Sequence, residues 1–89
     1  MLRVRWAKRA LNQLADLWNQ AAPPDRRLIT QASHEAEQRL RRGAPTEGES
    51  RFRGRRIMFV PPLAITFRIE PDGQTVSVLG VGPARPQRP

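Results

Sequence analysis

Leu63-Ala64-Ile65-Thr66-Phe67-Arg68-Ile69-Glu70 alternates large apolar side chains with small or polar ones, the period of a strand with one buried face. Pro71-Asp72-Gly73 follows with hairpin-turn chemistry, and the valine-rich run from Thr75 to Val81 returns as another strand. On the amino-terminal side, Ile57 to Val60 is short, apolar and strand-like, and Pro61-Pro62 forces a turn between it and Leu63. Strands joined by tight turns form an antiparallel meander, and a meander with one apolar face must bury that face under something.

The cover is legible upstream. Leu2, Val4 and Trp6 alternate with Arg3 and Arg5, predicting a half-buried first strand with a basic outer face. From Ala7 the period changes: Ala7, Leu11, Leu14, Trp18 and Ala21 recur at helical spacing, with Arg9, Gln13, Asp16 and Gln20 opposite. Pro23 and Pro24 stop this helix, and Asp25 is placed to cap a second whose apolar face is Leu28, Ile29, Ala32, Ala36 and Leu40. Glu35 with Arg39 and Glu37 with Arg41 sit one turn apart, Arg41 and Arg42 suit the carboxyl end of the helix dipole, and Gly43 with Pro45 supplies the stop. The short connection predicts an antiparallel helical hairpin. Residues 43–50 carry turn chemistry without periodicity and read as a loop.

The expectation is a single small α+β domain over residues 1–81, ordered β-α-α-β-β-β, with a mainly antiparallel sheet packed against the hairpin. Trp6 and Trp18 are expected as core anchors between the first strand and first helix, and residues 82–89 as a flexible tail rich in proline and arginine. Eighty-nine residues leave no room for a second domain. The absence of cysteine removes disulfides, thiolate metal sites and thiol nucleophiles, and it fits a reducing cytoplasm. Met1-Leu2-Arg3-Val4-Arg5-Trp6 is too charged for a secretion signal, and no apolar run is long enough to span a bilayer, so no membrane partner is expected.

The net charge is +8, and every basic residue except Lys8 is arginine. A planar guanidinium pairs with two oxygens of a phosphate or carboxylate, so the excess points to nucleic acid or an acidic protein as partner. The densest run is Arg51-Phe52-Arg53-Gly54-Arg55-Arg56. Strand alternation would set Arg51, Arg53 and Arg55 in a row able to follow phosphates, with Phe52 free to stack on a base if exposed, and Arg68 would project from the next strand. Arg51, Arg53, Arg55, Arg56 and Arg68 are therefore the candidate target-binding residues, with Arg85 and Arg88 following the last strand. His34, the only histidine, should be exposed opposite the apolar stripe of the second helix. No nucleophile triad, phosphate loop, dinucleotide fingerprint or metal-ligand cluster is visible, and no cofactor or metal is expected.

Val4-Arg5-Trp6 with Ala10-Leu11 and Leu14-Ala15, then Gly48-Glu49-Ser50-Arg51, then Arg55 to Leu63 running into Phe67-Arg68-Ile69 and Thr75 to Leu79, resembles the RelE/ParE superfamily of bacterial toxins, or plasmid stabilisation proteins. The resemblance implies the toxin of a type II toxin-antitoxin pair, neutralised by a cognate antitoxin. RelE-like members cut messenger RNA in the ribosome with basic sheet residues and commonly a tyrosine, whereas ParE-like members inhibit DNA gyrase. It also implies Arg56 and Arg85 as candidate catalytic residues. The chain departs from the nuclease pattern in having no tyrosine, and in carrying Ala64 where an arginine is often found. Arginine can stabilise a pentavalent phosphate but is a poor proton acceptor. The alternative reading is a basic RNA-binding module or degenerate toxin without catalysis.

Overall fold

The computed structural model describes residues 1–84. The chain runs β1 (Arg3–Trp6), α1 (Lys8–Gln20), α2 (Pro23–Gly43), β2 (Glu49–Ser50), β3 (Arg56–Val60), β4 (Leu63–Ile69) and β5 (Thr75–Pro83), with single 3-10 turns at Ala44–Thr46 and Phe52–Gly54. The sheet order is β1-β5-β4-β3-β2. β3, β4 and β5 form the expected antiparallel meander. β1 pairs with β5 in parallel, Arg5 beside Ser77 and Trp6 beside Val78. Among the described residues no helix is long and apolar enough to cross a membrane.

Glu49 and Ser50, read from sequence as loop, form a short edge strand against Arg56 and Ile57. Two exposed polar residues carry no alternation, so only their backbone pairing reveals the strand. The start of α2 also differs from expectation. Pro23 and Pro24 open the helix, where a missing N–H costs nothing, and Ala22 occupies the N-cap without a side-chain bond. Asp25 lies in the first turn instead, where its charge still suits the dipole. Beyond Val81, Gly82 and Pro83 continue β5 opposite Ala64 and Leu63, and the Ala84 N–H donates to Pro62 O at 2.9 Å.

The helices cover one face of the sheet. Ile29, Ala32, Ala36 and Leu40 of α2 pack on Met58, Val60, Leu63, Ile65, Phe67, Val76 and Val78. α1 contributes Ala10, wholly buried, with Leu14 and Leu17 half-buried. Its Leu11 and Trp18 are 49% and 41% exposed, so Trp18 is not a core anchor. The reason is rotational: the small Ala10 side lies against the sheet, and the Leu11–Trp18 stripe turns along the seam with α2. Trp6 is half-buried, and its indole N–H donates to Glu37 Oε1 at 2.8 Å. That carboxylate also accepts from Arg41 at 3.0 Å.

Both turns follow the residues. Asp72 Oδ1 accepts the N–H groups of Gln74 and Thr75, and Oδ2 accepts the Thr75 hydroxyl, while Gly73 takes a φ of 70°. The Pro61-Pro62 bond between β3 and β4 is cis. A register shift lies between Thr66 and Phe67, which face Gly80 and Val78, so Leu79 is left as a bulge.

Gly48 is the backbone position with least latitude. Its φ is 69°, and a Cβ there would lie 2.5 Å from Ile57 O. Gly54 shares the positive φ but has open space around it. Gly48→Ala should therefore cost at least about 1–3 kcal/mol in urea unfolding, and clearly more than Gly54→Ala.

Candidate functional site

Among the described residues, nothing covers the sheet face away from the helices. Pairing places Ile57 beside Thr66, Phe59 beside Ala64, Arg68 beside Ser77 and Ser77 beside Arg5 on this side. Small side chains and Gly80 and Gly82 keep it low, Phe59 stands 48% exposed at one margin, and arginines rise around it.

Four side chains form one network across three strands. Ser77 is wholly buried although no helix lies over it, because its neighbours roof it. Arg5 Nη2 donates to Ser77 Oγ at 3.2 Å, and Ser77 Oγ donates to Glu70 Oε2. Arg68 Nη2 donates to both Glu70 oxygens at 3.3 Å. The Ser77 hydroxyl, and after it the Arg68 guanidinium, hold the Glu70 carboxyl below its ordinary value. A carboxylate so stabilised is a poor general base.

Arg9 from the first turn of α1 and Arg55 from the approach to β3 line a cleft of about 500 Å³ with Gln13, Thr66, Gly80 and Gly82. It opens where β5 runs on past the end of β1 and α1 comes to lie alongside. There Gln13 Oε1 accepts the Val81 N–H at 2.8 Å and ties α1 to the strand.

The arginine-rich run does not form the row expected of it. Phe52–Gly54 is a 3-10 turn with Arg53 at φ 62°, so Arg51, Arg53 and Arg55 do not alternate along a strand. The glycine next to Arg53 and the left-handed backbone break the extended geometry on which alternation depends. Phe52 is 81% exposed, with the Arg53 guanidinium 5.4 Å from its ring centre. Arg51 turns back to Glu49 Oε1 at 3.5 Å and Ser50 O at 3.2 Å. Arg56 pairs with Phe67 and so points to the helix side. It donates to Glu47 O at 2.9 Å, Gly48 O at 3.2 Å and Ser50 Oγ at 3.2 Å, pinning the loop before β2. Of the five binding candidates, Arg55 lines the cleft on the open face and Arg68 stands on that face beside Ser77. Arg85 and Arg88 lie outside the described residues.

Arg3, Arg5 and Arg9 were not singled out by sequence reasoning as site residues. Alternation in β1 marked Arg3 and Arg5 as outward-facing, but only the parallel pairing with β5 sets Arg5 across Ser77 from Arg68, with Arg3 beside Thr75. His34 is exposed, as expected, and lies on the helix side with Trp6 and Glu37. Among the described residues no group of three His, Asp or Glu side chains is placed to hold a metal ion.

A second surface lies between the helices. Leu11, Leu14, Ala15, Trp18 and Ile29 line an apolar groove of about 390 Å³. Arg26 stacks 4.4 Å from the Trp18 ring centre while its Nε donates to Trp18 O at 2.9 Å and its Nη2 to Asn19 O at 3.3 Å, capping the end of α1.

A family model described as the ParE toxin of type II toxin-antitoxin system, parDE, matches residues 4–87. Among solved structures, the chain is similar to one in the RelBE2 toxin-antitoxin complex from Mycobacterium tuberculosis, at 22% identity and a TM-score of 0.73, covering 93% of this chain and 98% of that one. It is similar to a chain of the chromosomal ParDE system from P. aeruginosa at 18% identity and a TM-score of 0.75, covering 96% and 98% respectively. A chain of the intact E. coli RelBE complex matches at 16% identity and a TM-score of 0.55, covering 97% and 100%. At these identities the structural likeness is one of fold. No curated protein sequence matches.

The Glu70 network sets an acid limb. A carboxyl whose folded pKa lies below its unfolded one contributes stability that is complete above the unfolded value and is lost as pH falls through the folded value. Urea midpoints measured from about pH 5 down to about pH 2 should fall more steeply for the wild type than for Glu70→Gln, whose amide does not titrate.

Proposed function

The chain belongs to the ParE toxin family of type II toxin-antitoxin systems, and on that premise we propose that it arrests growth by binding its target through the open sheet face, without cutting RNA. A cognate antitoxin neutralises it by covering that face and the groove between the helices.

The observation that carries this reading is the kind of side chain the face presents. It offers guanidinium groups, which bind oxyanions, and hydroxyls. The chain has no tyrosine or cysteine, its histidine lies on the helix side, and the carboxylate on the open face, Glu70, is held ionised by Ser77 and Arg68. Cleavage of RNA by its own 2′-hydroxyl needs a group to take that proton and another to protonate the leaving oxygen. Arginine performs neither transfer readily. A basic face whose carboxylate, Glu70, is already held ionised suits the gyrase-inhibiting mode that the resemblance implies for ParE-like members. The antitoxin reading is supported by the partnered complexes among the structural relatives and by the apolar groove, whose exposed Leu11 and Trp18 are large for a surface facing only water.

Induction in a bacterial host should arrest growth, and co-expression of the product of the neighbouring gene should relieve it. With the purified chain, gyrase supercoiling should fall while messenger RNA stays intact both with and without translating ribosomes. Ribosome-dependent cleavage by the wild type would instead establish the nuclease mode. Soluble expression with normal growth and neither activity would favour the non-toxic RNA-binding module.

A further inference from the structure

The cleft at the start of α1 is rich in donors with nothing to receive them. Among the described residues, neither Arg9 nor Arg55 has a side-chain hydrogen bond or ion pair, whereas Arg51, Arg56 and Arg68 are all engaged. Gln13 spends its carbonyl oxygen on the Val81 N–H, so the amide NH2 is the part of its head left to offer the cleft. Two guanidinium forks and an amide donor around a cavity of about 500 Å³ call for an oxyanion.

The lining favours one class of donor for that anion. Neither exposed phenylalanine ring, Phe52 or Phe59, borders the cleft, so it has no platform for stacking a base, on which recognition of single-stranded nucleic acid depends. Gly80 and Gly82 instead leave bare backbone as the floor, beside the aliphatic Leu79 and Val81. A Cβ on Gly82 would meet no atom within 4 Å. Such a site fits a short side chain with an aliphatic stem and a charged head.

We propose that this cleft receives a carboxylate side chain, aspartate or glutamate, from the cognate antitoxin, with Arg9 and Arg55 gripping the carboxylate from its two walls. The proposal rests on the antitoxin-neutralised reading above and deepens it. The antitoxin then contacts the target-binding face itself, and a single acidic residue occupies the arginines that the target would otherwise meet.

The test is nuclear magnetic resonance of arginine side-chain Nε–Hε groups in the full chain, with Arg9 and Arg55 assigned through Arg9→Lys and Arg55→Lys. The probes are acetyl-Gly-Asp-Gly-amide, its Asn counterpart, and adenosine 5′-monophosphate. The Asp peptide should shift Arg9 and Arg55 together and saturably, at concentrations at least about tenfold below either other probe, and should move the exposed Arg27 little. Gly82→Val fills the floor where there is open space, so it should keep the wild-type spectrum elsewhere and abolish these shifts. Equal response of all arginines, or earlier saturation by the nucleotide, would overturn the proposal. In parallel, the double variant Arg9→Gln with Arg55→Gln should weaken binding of the neighbouring gene's product by at least about tenfold, while Arg27→Gln leaves it unchanged. If the wild type binds no such product, the antitoxin reading fails, and the peptide titration still decides whether the cleft takes a carboxylate.

Discussion

The parallel pairing of β1 on β5 is the constraint on which the rest of the structure depends. Strands running the same way cannot be joined by a tight turn, so the chain leaving Trp6 must travel before the meander can close on it. It travels as α1 and α2, both helices lie on one face, and among the described residues no further element covers the other. The asymmetry of the molecule follows: an apolar face under the hairpin and an open face that keeps its arginines. The same pairing brings the amino-terminal Arg5 to Ser77, joining residues from opposite ends of the sequence in one polar network.

The abundance of arginine conceals a division of labour. Arg56 satisfies two loop carbonyls and a hydroxyl, and Arg26 caps α1 while stacking on Trp18. Hydrogen bonds to charged groups of this kind contribute roughly 1.5–3 kcal/mol each. Arg39 bridges Glu47 at 2.6 Å and Glu35 at 3.5 Å, and the Glu47 bond holds its guanidinium protonated above the ordinary range. Exposed pairs such as Arg51 with Glu49 are worth roughly 0–1 kcal/mol. Among the described residues, Arg9 and Arg55 are left without a side-chain partner. Net charge therefore overstates the number of free guanidinium groups, since part of it is consumed in holding loops and helix ends.

Legibility in the sequence followed the range of the interactions. Local periodicity sufficed for the two helices, the β3-β4-β5 meander and the apolar face of α2, because each rests on neighbours a few residues apart. It did not suffice for β1 beside β5 or the two-residue β2, which depend on distant backbone partners. The site was less legible than the fold. Arg55 and Arg68 drew notice because they lie in or beside obvious strands, and the structure sets both by the open face, whereas Arg56 points to the helix side. Arg53 sits in a left-handed turn where alternation has no meaning. Arg9 gave no signal at all, since on a helix it reads as one more solvated charge until the sheet is placed beside it.

The helical groove also has an optical consequence. With no tyrosine in the chain, its near-ultraviolet emission comes from Trp6 and Trp18. Trp18 borders the groove at the end near Ile29, and Trp6 borders the adjoining cavity by His34 and Glu37, with Leu11 and Leu14 shared between them. The two indoles thus border neighbouring cavities with a common wall, the first partly wet and cation-stacked, the second hydrogen-bonded to a carboxylate. A molecule lying along the hairpin would change the solvent around both, and a single substitution of either ring would tell which end it reached. The fold carries its own pair of fluorescent probes beside its exposed Leu11.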